Sequence, residues 1–171
     1  SPRAIDVSKG IKLKEIPESL SRLHGDVHAF GNPHYWTDPL NAKIIAENIA
    51  EGLSAIYPER KDFFNSNLEN FKRKLDERMS KWEAELLPYK GSGVIVYHNS
   101  WPYFLERFGL STVEHLEPEP GIAPTPKHLQ KLIQLIKERN VKVIIKESFQ
   151  ENGAPKKVAN ASGVQVITLH Q

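Results

Sequence analysis

GVIVYHNSWPYFLERFG, residues 93–109, is the stretch on which the fold turns. Val94-Ile95-Val96-Tyr97 is a short, unbroken apolar run of the kind buried on both faces in a parallel sheet. Asn99-Ser100-Trp101-Pro102 then reads as a helix start, so GVIVYH (93–98) is a strand leading into a short helix through WPYFLERFG. Downstream the alternation continues. STVEHLE (111–117) is a second strand, and Thr125-Pro126 is a cap-plus-proline signal opening an amphipathic helix through KHLQKLIQLIKERN. VKVIIKE (141–147) is a third strand, APKKVANASG a helix ending at Gly163, and VQVITL (164–169) a fourth strand. Strands alternating with helices imply right-handed crossovers and a parallel sheet, so the fold class is α/β.

Upstream the period changes. Asp38 and Pro39 suit the cap and first position of a helix. Leu40, Ile44, Ile45, Ile49, Leu53 and Ile56 recur at helical spacing as far as Pro58. From Glu59 to Leu87 the residues Phe64, Leu68, Phe71, Leu75, Met79, Trp82 and Leu86 form a seam at steps of three and four. Such a helix spans roughly 40 Å, enough to act as a rigid mount for two lobes, and its stripe is expected to be core. IKLKEI (11–16) alternates like a short strand, and HGDVHAFGNPH is rich in turn residues.

Composition narrows the function classes. The 171 residues carry a net charge of +2, with 39% hydrophobic and 26% charged residues, the balance of an ordinary globular protein. Basic residues are interleaved with acids, as in NFKRKLDERMSKWEAE, so no basic face for nucleic acid is expected. There is no cysteine, which excludes disulfides and thiolate chemistry. The apolar stretch VKVII is far too short to cross a bilayer. The chain opens on SPRAIDVSKG, without an initiator methionine or a signal peptide, and closes directly after its last strand. Both ends are therefore expected to be cut.

Histidines carry the candidate chemistry. His98 ends a buried strand, and ligands of open parallel sheets bind outside the carboxyl ends of strands. His34, between Pro33 and the aromatic pair Tyr35-Trp36, is either a packed residue or a ligand held by its neighbours. His24 and His28, with Asp26 between them, add imidazoles suited to zinc, copper, iron or nickel, but at no recognised metal spacing. His115 and His128 read as structural or exposed. Glu117 and Glu119 sit in the rigid turn EPEPGIAPTP, where a solvated loop is the expected setting. Glu147 ends the third strand on the same sheet edge as His98 and is a secondary candidate. No nucleophile elbow, Walker loop or dinucleotide fingerprint occurs, and Ser100 is too close in sequence to His98 for a nucleophile–base pair.

Three stretches together resemble a known family. GDVHAFGNPHYWTDPLNAKIIAENIAEGLSAIYPE, VYHNSWPYFLERFGL and EPEPGIAPTPKHLQKLIQLIKERNVKVII look like the metal-binding periplasmic solute-binding proteins of bacterial ABC importers for zinc and manganese. The resemblance runs from about residue 25 to the end. It implies two α/β lobes joined by one long helix, with the metal between the lobes. It makes His34 a ligand from the first lobe and His98 the ligand that opens the second. A histidine at position 98, where manganese-specific members carry glutamate, points to zinc, with manganese as the alternative; imidazole is also the better zinc donor. The family's further ligands, a histidine early in the first lobe and often an aspartate late in the second, have no counterpart between residues 1 and 171. Two imidazoles alone do not complete a tetrahedral site.

The resemblance thus reads the chain as a fragment: residues 1–58 the remainder of an incomplete N-terminal lobe, 59–90 the long linker helix, and 91–171 an incomplete C-terminal α/β lobe. The implied function is the extracytoplasmic, non-enzymatic capture of zinc for delivery to a permease, in the periplasm or outside the cell. Membrane association would come only through an anchor outside the chain or through the permease. Apolar surface left by absent strands predicts self-association of the fragment. Two alternatives stand beside this reading: a zinc-dependent hydrolase using His34 and His98, and a surface adhesion module. Whether His28 or Glu147 contributes to the site stays open.

Overall fold

The computed structural model describes residues 4–17 and 30–170. His24, Asp26 and His28 lie outside the described residues. The chain divides into two compact units, Ser1–Lys12 with Tyr35–Pro88, and Leu13–His34 with Tyr89–Gln171.

The first unit is built on two helices, α1 (Asn41–Ile56) and α2 (Lys61–Leu86), which pack against each other. The cap chemistry sits where the sequence puts it, but the α-helix starts later. Asp38 Oδ1 accepts the Leu40 N–H at 2.9 Å, and the Asp38 carbonyl accepts the Asn41 N–H at 3.0 Å. The entry is thus a tight turn of bonds spanning three residues, which the regular helix then continues. A short 3-10 turn, Pro58–Arg60, joins the two helices. At 26 residues, α2 is about 39 Å long.

Its apolar stripe is less of a core than its spacing suggests. Leu75 and Met79 are buried, but Phe71 is 41% exposed. Lys72 pairs with Glu47 at 2.6 Å and Lys43 pairs with Asp76, tying the charged flanks of α1 and α2 together. The segment 11–16 does not pair as a strand. Its alternation is interrupted at Glu15, whose φ of 54° lies in the left-handed region, and Ile16 is 63% exposed. Instead, the preceding residues are pinned to α1 by Asn48 Nδ2, which donates to the carbonyls of Val7 at 3.0 Å and Lys9 at 2.9 Å.

The second unit is the parallel sheet. β1 (Gly93–Val96), β2 (Ser111–His115), β3 (Val143–Glu147) and β4 (Gln165–Leu169) lie in the order β2-β1-β3-β4, all parallel. Successive residues of a strand face opposite sides, and the core divides accordingly. Ile95 and Ile144 point to a face covered by α4 (Pro126–Glu138) and α5 (Gly153–Ser162), where they meet Leu132, Ile136 and Val158. Val94, Val96 and Ile145 point to the other face, covered by Trp101 and by Leu105 of α3 (Pro102–Arg107). The terminal signals act as expected. Thr125 Oγ1 caps α4 by accepting the His128 N–H at 3.2 Å, and Gly163 ends α5 in the left-handed conformation at φ 78°.

This order positions the site. The chain leaves β1 toward β2 on one side and returns to β3 on the other, so the carboxyl ends of β1 and β3 flank a topological switch point.

Candidate metal site at the carboxyl end of the sheet

His98 lies two residues beyond β1, and its ring is held from β2. Glu117 Oε2 is 3.0 Å from His98 Nδ1, and the side chains are 27% and 12% exposed for the histidine and the glutamate. Glu117 reaches this place because the ladder continues past the regular strand: the N–H groups of Leu116 and Glu117 donate to the carbonyls of Val96 and Tyr97. The expectation of a solvated loop for Glu117 is therefore overturned. Its backbone is still paired to the sheet, so its carboxylate is aimed, while Glu119 two residues on is exposed as expected.

His34 belongs to the same unit and is reached through Gly31. A Cβ on Gly31 would lie 2.6 Å from the Lys14 carbonyl, and φ is 99°, so only glycine permits this crossing. Asn32 follows, 7% exposed, and all its polar groups are engaged. Its N–H donates to the Lys14 carbonyl at 2.7 Å, and its carbonyl accepts the Tyr103 hydroxyl at 2.7 Å. Nδ2 donates to Glu15 Oε2 and to the Asn99 carbonyl, both at 2.8 Å. Oδ1 accepts the His34 N–H at 3.0 Å and lies 2.9 Å from His34 Nδ1.

These bonds determine which nitrogen of each imidazole carries its proton. The Asn99 carbonyl can only accept, so the Asn32 amide must present Nδ2 to it and Oδ1 to His34. His34 Nδ1 is then the protonated nitrogen, and Nε2 bears the lone pair. Glu117 Oε2, as the acceptor, likewise places a proton on His98 Nδ1, so that in the neutral tautomer Nε2 is the nitrogen with the lone pair. The two rings stand edge to face with centroids 5.7 Å apart and planes at 76°.

The other described histidines near this end carry the opposite commitment. Asn99 Nδ2 donates to Glu15 Oε2 at 2.7 Å, so Asn99 Oδ1 must accept from His115 Nε2 at 3.3 Å. His128 Nε2 donates to the His115 carbonyl at 2.9 Å. Burial lowers the His115 pKa and keeps the ring neutral, although Glu114 acts against it. His115 and His128 are thus structural, as the sequence suggests, but half-buried and bonded into the site's surroundings.

Glu147 is 1% exposed at the end of β3, where its N–H donates to Gln150 Oε1 at 2.9 Å. Ser100 is buried at 2% exposure. Among the described residues, no group of three or more histidine or carboxylate side chains is gathered to hold a metal. The structure brings His34 and His98 together as a pair.

Sequence reasoning missed Asn32, Asn99 and Glu15. One local signal existed for Asn32: an asparagine two residues before His34 can accept that residue's N–H in an Asx turn. For Asn99 and Glu15, which meet across the fold, no local signal exists.

A parallel sheet covered by helices on both faces thus carries an imidazole pair, His34 and His98, beside the carboxyl end of β1. The chain belongs to the family described as zinc-uptake complex component A, periplasmic (ZnuA), whose model matches residues 1–171. The high-affinity zinc uptake system protein ZnuA of Haemophilus influenzae is 33% identical over 116 residues, which are 68% of this chain and 34% of that protein. A crystal structure of ZnuA superposes with a TM-score of 0.81 at 27% identity, covering 96% of this chain and 60% of the other. The laminin-binding protein Lmb of Streptococcus agalactiae, described as bifunctional with adhesin and metal transporting activity, gives 0.78 at 26% identity over 95% and 59%. The matched stretch thus spans about a third of the length of the Haemophilus relative.

Proposed function

We propose that this chain is the zinc-capturing part of an extracytoplasmic solute-binding component of an ABC importer. In this reading His34 and His98 ligate the ion through Nε2, and the ion passes to a permease. One observation carries it: two imidazoles 5.7 Å apart, each with Nδ1 bonded to an acceptor oxygen. Two imidazoles binding one tetrahedral zinc through Nε2 place their ring centroids roughly 5 Å apart, close to the spacing found. An acceptor behind each ligating imidazole fixes its tautomer and raises its basicity.

Zinc is favoured over manganese because both donors are imidazoles, whereas manganese prefers oxygen. The relatives named for zinc uptake point the same way. Further ligands or water must complete the coordination, since two donors do not satisfy zinc. In this reading the function is coordination without a bond-making step: Glu117 lies behind His98 on its Nδ1, where a carboxylate orients a ligating ring. No helix among the described residues is long and apolar enough to cross a membrane.

The test is zinc titration against a chromogenic chelator for the chain, His34→Ala, His98→Ala and the double variant, with His128→Gln as control. The expected result is at least a tenfold weaker affinity in each single variant and no tight binding in the double. Unchanged affinity in the double variant would refute the assignment.

A further inference from the structure

We infer that Asn32 and Glu15 are positioning residues that set the imidazole pair before any ion arrives, an inference that rests on the zinc reading of His34 and His98. The Glu15 carboxylate oxygen Oε2 accepts from two asparagines, Asn32 Nδ2 at 2.8 Å and Asn99 Nδ2 at 2.7 Å. Asn32 touches His34 through two bonds, and Asn99 is the residue directly after His98. The Asn99 carbonyl also accepts from Asn32 Nδ2 at 2.8 Å. One carboxylate therefore buckles together the two segments that carry the histidines.

The geometry shows how the buckle acts. If the Asn32 amide flipped, its NH2 group would face His34 Nδ1 and the His34 N–H, and its oxygen would face the Asn99 carbonyl and the Glu15 carboxylate. Both new arrangements set like against like. The bonds of Glu15 and Asn99 therefore hold Asn32 in one orientation, and that orientation dictates the His34 tautomer. The Tyr103 hydroxyl supports the buckle from beneath, donating to the Asn32 carbonyl and accepting the Lys14 N–H at 2.9 Å. Glu15 holds its place at a positive φ of 54°, a conformation a non-glycine residue adopts only where its surroundings demand it.

Four variants separate the roles. Asn32→Asp keeps the oxygen facing His34 but loses both Nδ2 donors. Asn32→Ala loses both halves. Glu15→Ala removes the buckle, and Glu15→Gln retains an acceptor oxygen in its place. Zinc affinity is measured by competition with zinc alone as ligand. The His34 tautomer is read separately, in metal-free protein, from imidazole nitrogen NMR shifts, and thermal melting reports whether each variant is folded.

The expected result is a zinc affinity about 10–100-fold weaker in Asn32→Ala and Glu15→Ala, the loss typical of removing a bond behind a ligand. Glu15→Gln should restore most of it. In metal-free Asn32→Ala, His34 should move from a single Nδ1–H form to a mixture of tautomers, and Asn32→Asp should keep the Nδ1–H form. Folded Asn32→Ala and Glu15→Ala proteins with unchanged affinity would overturn the inference. So would a loss of affinity in Asn32→Ala with the tautomer unmoved. If Asn32→Ala does not fold, the Glu15 pair and Asn32→Asp decide. Should zinc binding instead survive loss of both histidines, the zinc reading fails, while the tautomer measurement still judges the buckle.

Discussion

Replacing Tyr103 by phenylalanine removes a single oxygen and tests whether the support beneath His34 is closed to water. Tyr103 is 2% exposed, and its hydroxyl bridges the Asn32 carbonyl at 2.7 Å and the Lys14 N–H at 2.9 Å. Phenylalanine keeps the ring, so the loss falls on the groups the hydroxyl bonds, the Asn32 carbonyl and the Lys14 N–H among them. The bond to Asn32 is buried and the bond from Lys14 only partly so. A stranded buried polar group costs about 1–3 kcal/mol, and one that regains water costs far less. The expected destabilisation is therefore about 2 kcal/mol, most of it from the Asn32 carbonyl.

The assay is urea unfolding followed by fluorescence, with Trp36 and Trp82 replaced by phenylalanine so that Trp101 reports alone. Trp101 is 4% exposed and packs in the sheet unit against Leu105 and Val96, so its signal follows that unit. With a slope of roughly 2 kcal/mol per molar urea, the midpoint should fall by about 1 M. A midpoint within about 0.2 M of the parent would refute the reasoning. It would mean that water reaches the Asn32 carbonyl and that the His34 loop is not held on a dry platform.

Glu117→Ala removes the acceptor behind His98 Nδ1 and should weaken zinc affinity about 10–100-fold with little change in melting temperature, measured by chelator competition. Leu132→Ala empties a position that is 0% exposed in the core under α4, and denaturant unfolding should show a loss of about 2–5 kcal/mol. His115 predicts a pH effect: burial lowers its folded pKa below the unfolded value of 6.5, so the unfolded chain binds a proton that the folded one refuses. Its contribution is fully present above about pH 6.5 and is lost as pH falls through the lower folded value. Melting curves between pH 7.5 and 5 should show this decline, and His115→Gln should flatten it.

The first approximation to the fold was legible because its signals are local. The cap at Thr125, the left-handed glycine at 163 and the apolar runs of β1 and β3 each act through neighbours a few residues away, and each lies where its sequence signal placed it. Errors occurred where a tertiary contact outweighed a local pattern. The alternation of residues 11–16 suggested a strand, yet Glu15 adopts a positive φ and turns its carboxylate to two asparagines. The EPEPG turn suggested solvent, yet the Glu117 backbone still pairs with Tyr97, the residue directly after β1.

The same division holds for the site. His98 could be singled out from sequence because a histidine at the end of a buried strand has a defined place in any parallel sheet. His34 could not be resolved by its neighbours alone, since proline and aromatics suit a packed ring and a ligand equally, and only the resemblance favoured the ligand. What the sequence by itself determined was the succession of strands and helices and which histidines were available. The tertiary structure decided which of them form a pair and which nitrogen each presents. Those properties depend on bonds joining residues 17, 67 and 84 positions apart, from Asn32 to Glu15, Asn32 to Asn99 and Asn99 to Glu15. A proton's place on an imidazole is set by the acceptor it faces, and in this chain the fold brings that acceptor to it.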